Sequence, residues 1–286
     1  MILSAQTFYA GAFLFSILFT GCTESITERR KNRSVISIRG SETVLPLVQR
    51  EAEQFMLNDS MPSLEVTGGG SGVGIKALLE GTTDIAMSSR ELRTDERLDF
   101  RAAKIDITEQ AVAYDALAVI VHPSNPVQQL TREQIQAIYT GHITNWKEVG
   151  GNNEKIILFS RESSSGTYDF FKEHVLSKRN FSASALCSSS NGAIAQSVSQ
   201  TPGAVGYVSV SHISKSVKAL AVSYDQGINY IKPSAESSEL KNYPISRPLY
   251  FIYPRKGVEH AQPYINFVLS PKGQELVKAE GYIPVN

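Results

Sequence analysis

Short runs of β-branched and other apolar residues alternate, from residue 34 onward, with stretches whose apolar positions recur at the period of an α-helix. These two patterns predict strands and helices, respectively. Predicted strands cover residues 35–39, 64–67, 84–88, 116–121, 155–160, 204–208 and 249–253. Predicted helices cover residues 46–57, 75–80, 132–139, 168–177 and 274–280. The alternation is typical of an α/β fold with largely parallel sheets.

Two of the predicted strands are apolar along nearly their whole length. Residues 117–121 read Leu-Ala-Val-Ile-Val and are followed by Pro123 and Pro126, and residues 247–253 form a second such run. An uninterrupted apolar run is typical of a strand buried on both faces. We therefore expect the chain to cross into a second domain along the first run and to return along the second.

The first 21 residues differ from the rest because they contain no charged side chain. The apolar run over residues 8–20 predicts an export signal peptide at residues 1–21. It ends in Phe19-Thr20-Gly21-Cys22, which resembles a bacterial lipobox, so we expect Cys22 to be lipidated and residues 22–33 to form a polar tether. An uncleaved transmembrane anchor is the alternative, since ~20 apolar residues span a bilayer. Either arrangement places the folded part of the protein outside the cytoplasm.

Composition and charge limit the classes of partner. The 286 residues are 42% hydrophobic with a mean hydropathy of -0.14, and Lys plus Arg (28) equal Asp plus Glu (28). Such a chain supports a substantial core in one or two domains, but it has no net charge with which to attract nucleic acid or anionic lipid broadly. Any anion site must therefore be local.

Cysteine and histidine offer little chemistry in this chain. If Cys22 carries a lipid, Cys187 is left alone and no intramolecular disulfide forms. We expect Cys187 to be a buried small residue, with a catalytic thiol as the alternative. The five histidines are widely scattered along the sequence, which argues against a metal site. We therefore expect no metal and no other cofactor.

Three loops rich in Gly, Ser and Thr each lead from a predicted strand into a predicted helix. They cover residues 40–46, 68–74 and 160–167. The amino terminus of a helix leaves about four N–H groups unpaired and carries partial positive charge, and glycine lets the backbone approach an anion closely. Each loop alone also fits an ordinary turn with a capping hydroxyl. The recurrence of one design three times favours a shared anion site.

Arg161 is the one basic side chain in these three loops. Its planar guanidinium suits bidentate contact with a tetrahedral oxyanion. A surface ion pair, for example with Glu162, is the alternative interpretation of Arg161 taken alone.

Eight segments carry a pattern that is more specific than any single loop. They are GSETVLPLVQ (40–49), GGGSGVGIKALLEGTTDIAMSSR (68–90), YDALAVIVHPSNP (114–126), IYTGHITNWKEVGG (138–151), SRESSSGTYDFF (160–171), PGAVGYVS (202–209), RPLYFIYPRKG (247–257) and GYIPV (281–285). In this order they resemble the phosphate-binding proteins of bacterial phosphate-specific ABC importers. The resemblance covers nearly all of the chain after the signal segment.

This resemblance implies a type II periplasmic-binding-protein fold, in which two α/β domains joined by crossover strands hold the ligand in the cleft between them. Domain I is then expected at residues 34–117 and 249–286, and domain II at residues 118–248. The resemblance further implies a monomeric binding protein, not an enzyme, that captures inorganic phosphate outside the cytoplasmic membrane. Its partner would be the permease and ATPase complex of an ABC importer.

The same resemblance implies which residues bind phosphate. The first loop would contribute the backbone N–H groups of Thr43, Val44 and Leu45, together with the Thr43 hydroxyl. The second loop would contribute the Ser71 hydroxyl. The remaining contacts would come from the other domain, namely from Arg161, Ser165, Gly166 and Thr167.

Ser89, followed by Arg90, stands where several members of the family have an aspartate. A carboxylate accepts a hydrogen bond from a protonated phosphate oxygen but repels sulfate, which has no proton at neutral pH. A serine hydroxyl both donates and accepts. We therefore expect Ser89 to line the site and to discriminate less against sulfate, with Glu42 as the next candidate acceptor. Arg90 either adds positive charge to the site or forms a surface or interdomain ion pair.

Other classes of function have weaker support. Gly72, Gly74 and Ala77 satisfy the dinucleotide pattern G-x-G-x-x-A, but no following strand ends in a clear ribose-binding acid. A P-loop is ruled out because Gly74 is followed by Ile75, which puts Lys76 one position late. A serine hydrolase lacks the G-x-S-x-G motif. Sulfate, molybdate or an organic phosphate as the ligand, and an exported enzyme acting on phosphorylated substrates, stay open as alternatives. We also expect Trp146 to pack structurally and Lys76 to face solvent.

Overall fold

The structure is a computed structural model that describes residues 35–58, 61–233 and 242–285. The predicted signal peptide at residues 1–21, the predicted lipidation site Cys22 and the tether at residues 22–33 lie outside the described residues. Over the described ranges, no helix is both long and apolar enough to cross a membrane.

A mixed sheet runs through the described part of the chain. Its strands are β1 (Val35–Gly40), β2 (Ser63–Thr67), β3 (Ile85–Ser88), β4 (Ile107–Val121), β6 (Ile157–Arg161), β7 (Leu186–Ser188), β8 (Ala204–Ser209), β9 (Lys218–Ala219) and β11 (Ser246–Pro254). Their spatial order is β2-β1-β3-β11-β4-β8-β6-β7, with β9 paired to β4. The outer pairs are parallel, whereas β11 and β4 run antiparallel to their neighbours. Two short strands, β5 (Gln129–Thr131) and β10 (Ala221–Ser223), form a separate parallel pair.

Helices connect most of these strands. They are α1 (Leu45–Met56), α2 (Ser71–Leu79), α3 (Thr94–Ala102), α4 (Arg132–Tyr139), α5 (Gly166–His174), α6 (Asn191–Gln200), α7 (Gln262–Leu269) and α8 (Pro271–Ala279). The side chains of Thr131, Ser165 and Ser190 cap α4, α5 and α6 by accepting a backbone N–H. The cap explains why α5 begins before the predicted start at residue 168. Helix α5 ends at His174, before the predicted end at residue 177. Ser177 and Lys178 have positive φ angles, so a right-handed helix cannot continue through them.

The buried apolar side chains form separate cores on the two sides of the central strands. Lobe 1, defined by residues 35–58, 61–113 and 249–282, contains one set of clusters. Lobe 2, defined by residues 116–233 and 242–245, contains the other, to which Ile283 also belongs. Strand β4 leaves lobe 1 and enters lobe 2, and β11 returns. The apolar runs thus lie where the chain crosses, while the domain bounds 34–117 with 249–286, and 118–248, stay a prediction.

The strand predictions are confirmed, since each of the predicted segments coincides with an observed strand to within three residues at either end, except at the start of β4. That strand begins at Ile107, well before the predicted start at residue 116. The prediction missed its first part because residues 107–111 are only partly buried and include the polar Thr108, Glu109 and Gln110. Helix α3 was missed for a similar reason. It is rich in charge, and only Glu96 and Phe100 are buried.

Candidate phosphate site

The three loops rich in Gly, Ser and Thr meet at the seam between the two lobes. The first two belong to lobe 1 and the third belongs to lobe 2. Across the seam, the Oγ1 atoms of Thr43 and Thr167 lie 3.0 Å apart, and both side chains are buried. The N–H of Gly72 donates to the carbonyl oxygen of Ser164 at 3.1 Å. The convergence expected from the sequence is therefore present in the fold.

The first loop reaches the seam through the hydroxyl of Thr43. The carbonyl oxygen of Thr43 accepts a 2.6 Å hydrogen bond from Tyr282 Oη, which fixes the backbone on the side of the C-terminal segment. The N–H groups of Val44 and Leu45, expected to face phosphate, both donate to the carbonyl oxygen of Ser41, at 3.1 and 3.0 Å. Contacts of the Val44 and Leu45 N–H groups with phosphate stay a prediction. They require that each N–H share its hydrogen bond between Ser41 and the ligand, or give up the bond to Ser41.

Ser71 and Ser89 form the lobe 1 side of the seam opposite Gly166. Both serines are fully buried, and the N–H of Ser89 donates to Ser71 Oγ at 3.1 Å. A Cβ atom added at Gly166 would lie 2.3 Å from Ser71 Oγ and 2.7 Å from Ser89 Oγ. Gly166 is the first residue of α5, so the requirement here is for space and not for an unusual φ angle. The structure thus brings these three predicted residues together.

Ser165 and Thr167 supply hydroxyls from lobe 2. Ser165 caps α5, and its Oγ accepts from the N–H of Thr167 at 3.2 Å. Because that oxygen serves as the acceptor of the cap, the Ser165 O–H proton is still available as a donor. Both side chains are buried at the seam.

The glycines that match the dinucleotide pattern have packing roles in this fold. Gly72 forms the backbone contact between the lobes described above. A Cβ at Gly74 would lie 2.3 Å from the carbonyl oxygen of Arg39, so glycine is what allows α2 to pack closely against β1. The pattern is therefore explained without a nucleotide.

Arg161 is buried behind the third loop, with 1% of its surface exposed. It donates to the carbonyl oxygens of Ser189 at 2.6 Å and Ser188 at 3.3 Å, and to Asn191 Oδ1 at 3.5 Å. The surface ion pair considered as an alternative is therefore wrong, since no carboxylate among the described residues pairs with Arg161. Burial lowers the pKa of Arg161, and repulsion from Arg247 contributes in the same direction. A buried cation of this kind is costly unless an anion compensates it.

Arg247 and Asp115 form a buried ion pair that the sequence analysis missed. They are register neighbours on β11 and β4, with Nη2 and Oδ2 2.9 Å apart and both side chains fully buried. Nη2 also donates to Thr167 Oγ1 at 3.0 Å, and Ser209 donates to Asp115 Oδ1 at 2.6 Å. Opposite charges directly beside the apolar runs of the two crossover strands are the sequence signal that would have identified this pair.

Asn191 is a further residue of the site that the sequence analysis did not single out. It is the first residue of α6, which Ser190 caps, and it is buried. Its Oδ1 accepts from Arg161, while its Nδ2 donates to Thr43 Oγ1 at 3.3 Å. Asn191 therefore links the buried guanidinium of lobe 2 to the first loop of lobe 1.

Arg90 lies beside the seam, where it is neutralised by carboxylates. Its Nη1 and Nη2 donate to Glu96 at 2.7 and 2.8 Å, and its Nε lies 2.8 Å from Asp169 Oδ2 in lobe 2. Arg93 also pairs with Asp169, at 3.3 Å. The ion-pair alternative for Arg90 is confirmed, and the pair with Asp169 joins the two lobes. Because two carboxylates compensate its charge, Arg90 is less suited to a ligand than Arg161 is.

Three other sequence predictions lie away from the seam. Cys187 is exposed, which corrects the expectation that it is buried, because β7 is an edge strand of the sheet. Trp146 is fully buried and donates through Nε1 to the carbonyl oxygen of Gly203 at 2.8 Å, which confirms its structural role. Lys76 faces solvent as expected. Within the residues described, no group of three or more His, Cys, Asp or Glu side chains has the proximity needed to hold a metal.

Comparisons with known proteins cover both lobes. A family model described as a PBP superfamily domain matches residues 26–272. A structure of a phosphate ABC transporter substrate-binding protein from Clostridium perfringens with bound phosphate is 37% identical, covering 88% of this chain and 100% of that chain, with a TM-score of 0.78. An ABC-type phosphate transport receptor from Vibrio cholerae is 33% identical with the same coverage and a TM-score of 0.73. Phosphate-binding protein PstS of Bacillus subtilis is 30% identical over 92% of this chain and 85% of its own length.

Proposed function

Because the chain belongs to the PBP superfamily, we propose that it binds inorganic phosphate between its two lobes and delivers it to an ABC importer. The observation that carries this proposal is Arg161, a buried guanidinium without a carboxylate partner among the described residues, beside a seam of hydroxyl groups. The names of the similar proteins support the same ligand and the same transporter class.

The chemistry of the seam suits capture rather than reaction. Arg161 only donates hydrogen bonds, and the buried hydroxyls of Thr43, Ser71, Ser165 and Thr167 have protons to give. An anion with several acceptor oxygens satisfies such donors and neutralises the buried charge. We therefore propose a monomeric binding protein without catalysis, with domain bounds as expected from the sequence.

Calorimetric titration of the fragment from residue 34 onward tests this proposal. We expect phosphate to bind with a dissociation constant at or below ~1 µM, which corresponds to about -8 kcal/mol, because the site combines a buried charge with many donors. Sulfate, molybdate and arsenate titrated in parallel test the alternative oxyanions. Absence of phosphate binding at millimolar concentration would rule out the proposed function, and tighter binding of sulfate or molybdate would reassign the ligand.

Ser89 is proposed to set the selectivity of the site. Its Oγ lies 3.4 Å from Ser71 Oγ at the seam with Gly166, so it is placed among the donors. We expect Ser89→Asp to sharpen discrimination against sulfate, because a carboxylate oxygen of the aspartate would face an unprotonated sulfate oxygen and repel it. We also expect it to lower the affinity for the phosphate dianion as pH rises. Competition binding over about pH 5.5 to 8.5 measures both effects.

Ser89→Asn is the matched control for that experiment, because asparagine has the size of aspartate without its charge. Sharper selectivity in Ser89→Asn as well would show that crowding, and not the carboxylate, is responsible. If the wild-type protein already excludes sulfate by more than ~10⁴-fold, another acceptor performs this task. Glu42, which accepts from the N–H of Gly69, is then the next residue to replace.

We further propose that the protein acts outside the cytoplasm, held to the membrane by a lipid on Cys22. The support is the lipobox-like sequence at residues 19–22 after an uncharged apolar segment. We expect Cys22→Ser to release the protein from membranes or to leave it as an unprocessed precursor. Membrane fractionation of whole cells measures this, and unchanged anchoring and size would favour the uncleaved transmembrane alternative.

A further inference from the structure

Two threonine hydroxyls at the seam are each held by a fixed donor. Arg247 Nη2 donates to Thr167 Oγ1 at 3.0 Å and makes a longer contact of 3.5 Å with Thr43 Oγ1. Asn191 Nδ2 donates to Thr43 Oγ1 at 3.3 Å. The amide orientation of Asn191 follows from its Oδ1, which accepts from Arg161 and therefore cannot be the group that faces Thr43. Neither outer partner accepts a proton from the threonines.

The hydrogen bond between the Thr43 and Thr167 hydroxyls uses only one of their two protons. A hydroxyl has one proton to donate and two lone pairs to accept with. If Thr43 donates to Thr167, then Thr167 accepts from both Thr43 and Arg247, and its own proton points outside the pair. If Thr167 donates instead, Thr43 accepts from Thr167 and Asn191, and the Thr43 proton is left. In either case one O–H requires an acceptor beyond these four residues.

We propose that Arg247 is a positioning residue of the anion site, which makes the Thr43 and Thr167 hydroxyls act together as an obligate donor to the bound oxyanion. This inference rests on the proposed phosphate function and assigns a mechanism to it. A hydroxyl pair without such donors would accept as readily as it donates. With Arg247 and Asn191 in place, the pair favours a ligand oxygen that carries no proton.

Neighbouring side chains fix the position of the Arg247 guanidinium. Asp115 accepts from both Nε and Nη2, at 3.2 and 2.9 Å, and Ser209 occupies the other carboxylate oxygen. The guanidinium also lies over the ring of Phe170, 5.4 Å from its centroid. Its Nη1 is buried and has no hydrogen-bond partner among the described residues. Asp115 and Phe170 thus hold the guanidinium so that Nη2 faces Thr167.

A double-mutant cycle measured by phosphate calorimetry tests the inference. The paired variant Asp115→Asn with Arg247→Gln removes both charges, so that no unpaired charge is left buried. We expect it to raise the dissociation constant at least ~10-fold in the wild-type background. In the background of Thr167→Val, which lacks the hydroxyl that Arg247 contacts at the shorter distance, we expect the same pair of substitutions to raise the dissociation constant less than ~3-fold. A purely structural role would give the same factor in both backgrounds.

The ion pair between Arg255 and Asp106 provides a matched control. It lies just beyond the C-terminal end of β11 and the N-terminal end of β4 and is exposed, so Asp106→Asn with Arg255→Gln should leave phosphate affinity unchanged. If the paired variant does not fold, Arg247→Lys, which keeps a charge for Asp115, is taken through the same cycle with Thr167→Val. The inference is overturned if the wild type binds phosphate and the substitution raises the dissociation constant by the same factor with and without Thr167→Val. Absence of binding by the wild type overturns the proposed function instead.

Discussion

Gly166→Ala is expected to weaken phosphate binding by about 2 kcal/mol, or roughly 30-fold, without destabilising the protein. The added Cβ would lie 2.3 Å from Ser71 Oγ and 2.9 Å from Ser71 Cβ. A rotated hydroxyl relieves the first contact but not the second, so the lobes would have to move apart. Alanine favours helix over glycine, and therefore α5 itself should gain stability. Phosphate calorimetry and thermal unfolding of the ligand-free protein separate the two effects.

Gly192→Ala is the matched control, because Gly192 lies in the first turn of α6 and also belongs to lobe 2. A Cβ there would meet only Ser190 Oγ, at an ordinary 3.9 Å. We expect unchanged affinity and equal or slightly higher stability. If Gly166→Ala binds phosphate as tightly as Gly192→Ala does, then the close approach of Ser71 to Gly166 is not required in the bound state.

Much of the fold was predictable because the chain is locally consistent. Strands such as β8 are buried throughout and apolar up to their last residue, and Thr131 and Ser165 cap the helices that follow them. The edge strand β7 was less predictable, since it has three residues and few buried atoms. The wrong expectation for Cys187 has the same origin. Position at the edge of a sheet is a property of the strand order, which local sequence does not encode.

The candidate site likewise has one part that local sequence predicts and one part that it does not. Glycine and hydroxyl residues at the ends of strands indicated the three loops, because helix amino termini have local sequence signals. The ion pair of Arg247 with Asp115 spans 132 positions, and the hydrogen bond of Asn191 to Thr43 spans 148. Such contacts depend on tertiary arrangement. One charged residue in an apolar strand reveals a buried charge, but its partner becomes visible only when the strands are placed side by side.

Because Arg161 is buried, its removal is expected to reduce phosphate affinity more than the removal of an exposed arginine. Arg161→Ala is expected to weaken phosphate binding by at least ~2 kcal/mol, about 30-fold, because truncation of a buried, hydrogen-bonded charge costs about 2 to 5 kcal/mol. The substitution also leaves the carbonyl oxygen of Ser189 without its 2.6 Å donor, whereas that of Ser188 keeps the N–H of Glu162. Arg161→Lys keeps the charge but not the planar fork, so we expect it to bind with intermediate affinity.

Arg50→Ala serves as the control for charge alone, since the side chain of Arg50 is half exposed and pairs with Glu53 on the surface of α1. Removal of this charge should leave phosphate affinity nearly unchanged, because surface charges are screened by solvent and salt. Calorimetry of the three variants at one ionic strength compares a buried with an exposed arginine directly. Equal affinities for Arg161→Ala and the wild type would mean that the guanidinium only braces the loop at residues 188–191. The anion would then be held by hydroxyl and backbone donors.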